Sequence, residues 1–139
     1  MKDEELTKRI IGCAFHVHNT LGAGFLEQVY EDALRIELAK QGLQVKQQAP
    51  IQVYYDGQVV GSYCADLWVE DRVIVELKAV RQLSKAHEVQ LVNYLIATGV
   101  DTGLLLNFGP SVQVKRKFRE YKSKNNGLRR SGPTMGEIL

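Results

Sequence analysis

The sequence predicts an α/β fold with one mixed β-sheet flanked by helices, and an α+β arrangement of the same elements is the alternative. Three observations support this prediction. Apolar residues recur at helical spacing near the start of the chain and again after residue 84. Between those segments the apolar period changes to two, around an Asp-Gly pair, and two further strand-like runs follow residue 100. The predicted order is αα-βββ-α-ββ, within one domain.

Two helices are predicted before the first strand. Residues 4–20 place apolar side chains at helical spacing, and this helix ends near the glycines of LGAG. The second helix extends from about Leu26 to Lys40, because Gly42 follows it as a natural C-terminal cap.

Three strands are predicted next. The period-2 pattern starts at Val45 and contains Asp56-Gly57, which is the strongest short signal for a β-hairpin. The second strand continues through CADLWV, turns at residues 70–72 and returns as VIVELKAV. The last of these runs is rich in β-branched residues, as is typical of a strand with little solvent on either side.

The remaining elements are one helix and two strands. Ser84 is the predicted N-cap of a helix that extends over residues 85–98 and ends at Gly99. GLLLNFG is predicted to be a short buried strand, and VQVKRKF alternates like a strand at the edge of a sheet.

Composition restricts the class of protein. A content of 45% hydrophobic and 24% charged residues is ordinary for a globular protein in water. The two cysteines form neither a zinc spacing nor a disulfide framework, so we predict a reducing compartment, the cytoplasm. No apolar run approaches the roughly 20 residues of a membrane helix, and MKDEEL does not resemble a signal peptide. We therefore expect no membrane partner.

Charge is distributed unevenly along the chain. Residues 1–114 carry ten Lys/Arg against fourteen Asp/Glu, a net charge of −4, whereas residues 115–139 carry eight against two, a net charge of +6. We predict a domain over residues 1–121 and a basic, flexible tail over residues 122–139. The basic segment either neutralises nucleic-acid phosphates or is a solvated tail that aids solubility. Under the first alternative, the strand residues that contact nucleic acid are Lys115, Arg116, Lys117 and Arg119.

Glu76 and Lys78 interrupt the apolar strand VIVELKAV, although such side chains are almost never buried without a partner. If residues 70–72 form the turn, Asp66 lies directly across from Glu76, with Cβ atoms about 5 Å apart. A two-residue turn would break the apolar face of the strand pair, so the patterning favours the first register. That face comprises Tyr63, Ala65, Leu67, Val69, Val73, Val75, Leu77 and Ala79.

Two carboxylates at this separation repel each other unless a proton or a cation lies between them. Lys78 supplies a single positive charge on the same face, which does not neutralise both Asp66 and Glu76. A divalent cation with oxygen ligands, such as Mg²⁺, fits the pair better. The alternative is a structural network of Asp, Glu and Lys.

The same residues carry a resemblance to a known superfamily. Asp66 followed by Glu76-Leu77-Lys78 resembles the D-x(n)-(D/E)-x-K core of the PD-(D/E)XK nucleases, with Ala65 where the motif has proline. The segment from Gln90 to Tyr94 resembles the Q-x-x-x-Y motif of RecB-type nucleases. The resemblance extends over about residues 6–119 and implies a restriction-endonuclease-like core. A third motif, G-x-x-E-x-x-Y, resembles the signature of the small prokaryotic GxxExxY family and comprises Gly24, Glu27 and Tyr30.

The resemblance also implies roles for individual residues. Asp66, Glu76 and the carbonyl of Leu77 would bind Mg²⁺ or Mn²⁺, and Glu27 would bind the same or a second ion. Lys78 would orient or deprotonate the attacking water and stabilise charge on the phosphoryl oxygens. Gln90 and Tyr94, which share a helical face, would complete the catalytic set through contacts with the metal-bound water or the nucleic-acid backbone. Tyr30 is expected to pack the second helix against the sheet.

The resulting hypothesis is a metal-dependent nuclease that hydrolyses phosphodiester bonds, in DNA rather than RNA. One alternative is a catalytically silent nucleic-acid-binding module that retains the nuclease fold. Another is a scaffold protein whose buried charges serve the fold alone. The sequence leaves a homo-oligomer open.

The charge distribution generates a prediction about the basic segment. Truncation after Phe118 removes five of the eight Lys/Arg of residues 115–139, so it should weaken DNA binding. Each lost phosphate contact should also reduce the slope of log K against log salt by about 0.7–0.9. Titrations of a labelled oligonucleotide at several salt concentrations measure this slope. An unchanged slope in the truncated protein would leave the tail without a role in binding.

Overall fold

The computed structural model of the 139-residue chain describes residues 3–119, so the predicted tail over residues 122–139 lies outside the described residues. Three helices and five strands follow one another in the predicted order. They are α1 (Glu4–Leu21), α2 (Glu27–Lys40), β1 (Val45–Tyr55), β2 (Gln58–Val69), β3 (Val73–Lys78), α3 (Lys85–Thr98), β4 (Thr102–Phe108) and β5 (Val112–Phe118). None of the three helices is both long and apolar enough to cross a membrane.

The five strands form one sheet in the order β1-β2-β3-β4-β5. Neighbouring strands are antiparallel except for β3 and β4, which are parallel. Because a tight turn cannot join parallel strands, the chain crosses between β3 and β4 through α3. The prediction of a mixed sheet flanked by helices is therefore confirmed, and β1 and β5 are its edges.

Local signals place the element boundaries where the sequence predicts them. Asp56 and Gly57 both adopt positive φ, 52° and 77°, as a two-residue hairpin between β1 and β2 requires. Ser84 caps α3 together with His87, whose Nδ1 accepts a hydrogen bond from the Ser84 N–H at 3.2 Å. Gly99 ends the helix in the left-handed conformation, with φ 77°.

Two hydrophobic cores cover the two faces of the sheet. The larger core lies under α1 and α2 and includes Leu67 and Val75. The smaller core lies under α3 and includes Ile74 and Leu105. Every residue of β4 is buried, because this strand is covered on both faces.

The predicted single apolar face of β2 is wrong. Leu67 packs in the core under α1 and α2, whereas Ala65, two residues earlier, packs in the core under α3. The physical reason lies in the neighbouring strand β1, where Gln48 has a left-handed φ of 52°. Gln47 contacts α2 while Ala49 packs under α3, although residues two apart on a regular strand face the same side. The left-handed residue breaks this alternation, and the paired segment of β2 changes sides with it.

Tyr30 fixes the start of α2. Its ring is fully buried and stacks on Phe108 of β4, with centroids 4.8 Å apart. Its hydroxyl donates a hydrogen bond to the carbonyl of Gly22 at 2.6 Å and accepts one from the N–H of Phe25 at 3.2 Å. The α1–α2 loop is thereby tied to the helix that follows it, and Glu27, the first residue of α2, is held in place.

Replacement of Tyr30 by Phe tests this tie. The variant keeps the stacked ring but loses both hydroxyl hydrogen bonds of a buried group, so the free energy of unfolding should fall by about 1–3 kcal/mol. Urea denaturation measures the change. Tyr55→Phe, at a side chain that is 75% exposed, is the matched control and should leave stability unaltered. Equal stability of the two variants would contradict the proposed tie.

Candidate functional site

Two carboxylates replace backbone pairing at the point where β2 and β3 separate. The ladder between these strands comprises Leu67–Val75, Trp68–Ile74 and Val69–Val73, which confirms the predicted three-residue turn. Asp66 and Glu76 occupy the next positions of this register, as predicted, but the backbone ladder does not extend to them. Their side chains make the next interstrand hydrogen bonds.

These hydrogen bonds hold each acid against the backbone of the opposite strand. Asp66 Oδ2 accepts a hydrogen bond from the N–H of Leu77 at 2.8 Å. Glu76 Oε2 accepts one from the N–H of Asp66 at 2.9 Å. Each carboxylate therefore has a fixed orientation that does not depend on a ligand.

The electrostatics of the site disfavour negative charge. Burial, followed by the charge of Asp66, raises the pKa of Glu76 to about 8. Burial is also the largest cause of the raised pKa values of Asp66 and Glu27. Lys78 opposes all three shifts, because its charge stabilises the carboxylates. A site of this kind favours a shared proton or an added cation.

Glu27 lies beside this pair rather than within it. Its half-buried carboxyl feels the charges of Asp66, Lys78 and Glu31, which places it next to the acids. No group of three or more His, Cys, Asp or Glu side chains within residues 3–119 is arranged to hold a metal ion. The structure thus brings Asp66 and Glu76 together, with Glu27 outside this immediate contact.

The donors that are present fit a hard divalent cation. Asp66 and Glu76 offer carboxylate oxygens, and the Leu77 carbonyl lies between Glu76 and Lys78 on the chain. Mg²⁺ is commonly held by only one or two carboxylates, and water or substrate phosphates complete its octahedral shell. Burial that raises the pKa of both acids also means that a cation gains more there than at an exposed pair.

Two residues that the sequence analysis missed support Asp66. Gln48 Nε2 donates hydrogen bonds to both carboxylate oxygens of Glu31, at 3.1 and 3.0 Å, and to Asp66 Oδ1 at 3.3 Å. Glu31, on α2, is only 2% exposed and also accepts a hydrogen bond from Gln47 Nε2 at 2.7 Å. The one available signal was the consecutive Gln47-Gln48, which interrupts the period of two in β1.

The other predicted catalytic residues, Lys78, Tyr94 and Gln90, differ in burial. Lys78 is half-buried at the end of β3. Tyr94 is 8% exposed, and burial followed by the charges of Glu76 and Asp66 raises the pKa of its hydroxyl to about 12. The hydroxyl is therefore protonated at neutral pH and available as a donor. Gln90, one helical turn earlier on α3, is exposed.

The basic residues of β5 separate into two pairs. Lys117 forms an ion pair with Glu88 of α3, and Arg119 forms one with Asp101 at 2.6 Å. Lys115 and Arg116 have exposed side chains. Two of the four predicted nucleic-acid contacts are therefore already engaged within the protein.

A five-stranded mixed sheet with helices on both faces, and an Asp-Glu pair followed by Lys where two strands separate, define the restriction-endonuclease-like α/β class. The chain belongs to the PD-(D/E)XK nuclease superfamily, whose model matches residues 4–120. Enzymes of that superfamily generally use divalent metal ions.

Solved structures support the fold. The crystal structure of SSO0001 is similar at a TM-score of 0.53 and 16% identity, over 76% of this chain and 60% of that one. The alkaline exonuclease LHK-Exo from Laribacter hongkongensis is similar at a TM-score of 0.52 and 13% identity, over 70% of this chain and 58% of that one. The matched parts therefore amount to about three fifths of each of those chains. Comparison with curated protein sequences finds no match.

The raised pKa of Glu76 predicts a pH dependence of stability in EDTA. The folded state holds a proton up to about pH 8, whereas the unfolded carboxyl loses it near its ordinary pKa of 4.5. This contribution to stability is complete below pH 4.5 and is lost as pH rises towards 8, with a slope of at most about 1.4 kcal/mol per pH unit. Urea denaturation of wild type and Glu76→Gln should show a flatter profile in the variant. If the stability of wild type and of Glu76→Gln changes with pH in parallel, the raised pKa of Glu76 is contradicted.

The left-handed conformation of Gln48 predicts an inverted stability order. Glycine within a strand ordinarily costs stability relative to alanine. At a φ of 52°, however, Gln48→Gly should be more stable than Gln48→Ala by about 1 kcal/mol, because alanine resists this conformation. Both variants lose the side-chain bridge to Glu31 and Asp66, so the comparison isolates the backbone. Urea denaturation measures the difference, and an alanine variant as stable as the glycine variant would argue against the strain.

Proposed function

We propose that this protein is a metal-dependent nuclease that hydrolyses phosphodiester bonds, in DNA rather than RNA. The observation that carries the proposal is the pair of half-buried Asp66 and buried Glu76, which lie together at the separating ends of β2 and β3 with Lys78 close by. Membership of the PD-(D/E)XK superfamily supports the reaction class. The G-x-x-E-x-x-Y and Q-x-x-x-Y motifs further suggest the GxxExxY family and a RecB-type site.

Asp66, Glu76 and the carbonyl of Leu77 would hold Mg²⁺ or Mn²⁺, and Glu27 would approach the same or a second ion from α2. When bound, such an ion polarises the scissile phosphate and lowers the pKa of a bound water. The hydrogen bonds from Leu77 and Asp66 N–H groups orient both carboxylates in advance, so little reorganisation accompanies binding.

The other side chains of the site would act on the water and the phosphate. Lys78 would orient the attacking water and stabilise negative charge on the phosphoryl oxygens. The protonated hydroxyl of Tyr94 would donate a hydrogen bond to the water or to a phosphate oxygen, and the amide of Gln90 would contact the nucleic-acid backbone.

The substrate would be held by positive charge on β5. Lys115 and Arg116 are exposed and would contact phosphates directly. Lys117 and Arg119 would have to exchange Glu88 and Asp101 for a phosphate, so their contribution should be smaller. The preference for DNA rests on the RecB-type resemblance of the Gln90–Tyr94 segment.

Incubation with linear, circular, single-stranded and double-stranded DNA, and with RNA, in Mg²⁺, Mn²⁺ or EDTA tests the activity. Hydrolysis should require the divalent ion and should fall by about 100-fold or more in Asp66→Asn, Glu76→Gln and Lys78→Met. Asp71→Asn is the matched control, because this exposed aspartate has a φ of 55°, which Asn tolerates well. If the protein binds nucleic acid but hydrolyses none in either Mg²⁺ or Mn²⁺, the alternative of a catalytically silent binding module is favoured.

Thermal denaturation separates a metal site from a structural ion network. Mn²⁺ should raise the melting temperature of wild type but not that of Asp66→Asn. In EDTA, Asp66→Asn should be at least as stable as wild type, because the amide oxygen still accepts the Leu77 N–H and a charge whose burial is unfavourable is removed. If Mn²⁺ does not raise the melting temperature of wild type, and Asp66→Asn melts well below wild type in EDTA, the metal site is refuted.

A further inference from the structure

A groove of about 1020 Å³ lies between the β1–β2 hairpin and α3. We call it the tyrosine groove, because Tyr54, Tyr63 and Tyr94 all line it. Gln90 lines it as well, so two proposed residues of the nuclease site, Gln90 and Tyr94, also form its wall. Its volume is at the upper end of the range for ligand sites.

The groove presents aromatic faces rather than positive charge. The rings of Tyr63 and Tyr94 have centroids 5.6 Å apart, and the side chain of Tyr54 is 63% exposed. Of the described residues that line the groove, Lys85 is the one cation. Duplex binding depends on several Lys or Arg side chains against phosphates. Exposed aromatic rings with a few amides are instead typical of surfaces that stack unpaired bases.

The groove lies near the carboxylate pair, because Tyr94 lines the groove and its hydroxyl feels the charges of Glu76 and Asp66. Tyr63 precedes Asp66 by three residues on β2, a distance of about 10 Å along an extended strand. Tyr94 packs with Ala65, the residue next to Asp66, in the core under α3. A nucleic-acid strand whose bases occupy the groove would therefore have a backbone phosphate close to the acids.

We infer that the tyrosine groove binds the unpaired bases of a single-stranded DNA segment that adjoins the phosphate to be cut. Single-stranded or frayed DNA is then the substrate class, and this part of the inference rests on the proposed nuclease function. Base binding itself does not depend on hydrolysis. The exposed amides of Gln90 and Asn93 suit the polar edges of bases at the wall of the groove.

Fluorescence anisotropy with a labelled oligothymidylate of about 12 nucleotides, in EDTA, tests base binding without turnover. Loss of one stacking ring in Tyr54→Ala should weaken binding of the single strand by about five- to 150-fold. Tyr55→Ala is the matched control, because Tyr55 is the next residue of the hairpin, is 75% exposed and does not line the groove. Tyr55→Ala and Tyr54→Phe should bind within about twofold of wild type, as should all variants with a duplex of equal length.

Several outcomes would overturn the inference. One is equal binding of the single strand by Tyr54→Ala and Tyr55→Ala. Another is a wild-type dimer that Tyr54→Ala, but not Tyr55→Ala, converts to a monomer in sedimentation, because a second copy of the chain would then occupy the groove. Photocrosslinking of an oligonucleotide with 5-iodouracil adds a direct measurement, with the crosslink expected on Tyr54 and not on Tyr55.

The inference and the proposed function can fail separately. If wild type cuts no nucleic acid but Tyr54→Ala still loses single-strand binding, the nuclease proposal fails and the groove stands. If wild type cuts DNA and Tyr54→Ala cuts and binds single strands as well as wild type does, the nuclease stands and the groove assignment fails.

Discussion

The fold depends on two carboxylates that take over backbone hydrogen bonds between β2 and β3. A buried carboxylate is costly unless it accepts hydrogen bonds or meets a positive charge. Here Asp66 and Glu76 accept N–H groups from each other's strands, and Lys78 adds its charge. These contacts offset part of the cost, but the raised pKa of Glu76 shows that the compensation is incomplete. At the point where β2 and β3 separate, the two carboxyl groups therefore still favour a proton or a cation between them.

The supporting parts converge on Asp66 from both sides of the sheet. From α2, Glu31 orients Gln48 of β1, which donates a hydrogen bond to Asp66 on the neighbouring strand β2. From α3, Tyr94 brings a neutral hydroxyl towards the same acids. The change of sides in β1 and β2 contributes to this convergence, because it places residues two apart on one strand, Ala65 and Leu67, against different helices. The site therefore lies where the two cores meet.

Sequence reasoning succeeded where the determinants are local. Asp56-Gly57 and Ser84 act within a few residues, so they locate the hairpin and the start of α3 without knowledge of the rest of the chain. The three-residue turn is confirmed as well, although the apolar face from which it was predicted is interrupted at Ala65. The failures involve tertiary contacts. The side chain of Gln48 donates a hydrogen bond to Glu31, 17 residues earlier, and no periodicity predicts such a contact.

The sequence predicts which residues form the candidate site, but only part of the geometry of that site. The opposition of Asp66 and Glu76 followed from the register, whereas their hydrogen bonds to the facing backbone did not. Lys117 and Arg119 look like free cations in the sequence, because their partners Glu88 and Asp101 are close only in the folded chain.

The left-handed conformation of Gln48 also affects how readily copies of the protein can pair at the edge of the sheet. A straight strand at the edge of a sheet exposes a regular row of N–H and C=O groups, on which another chain can pair and start a fibril. In β1 the left-handed Gln48 disrupts that row, and Pro50 two residues later has no N–H to offer. The residue whose side chain binds Asp66 therefore also makes β1 a poorer template for pairing with another chain than a regular edge strand of eleven residues would be.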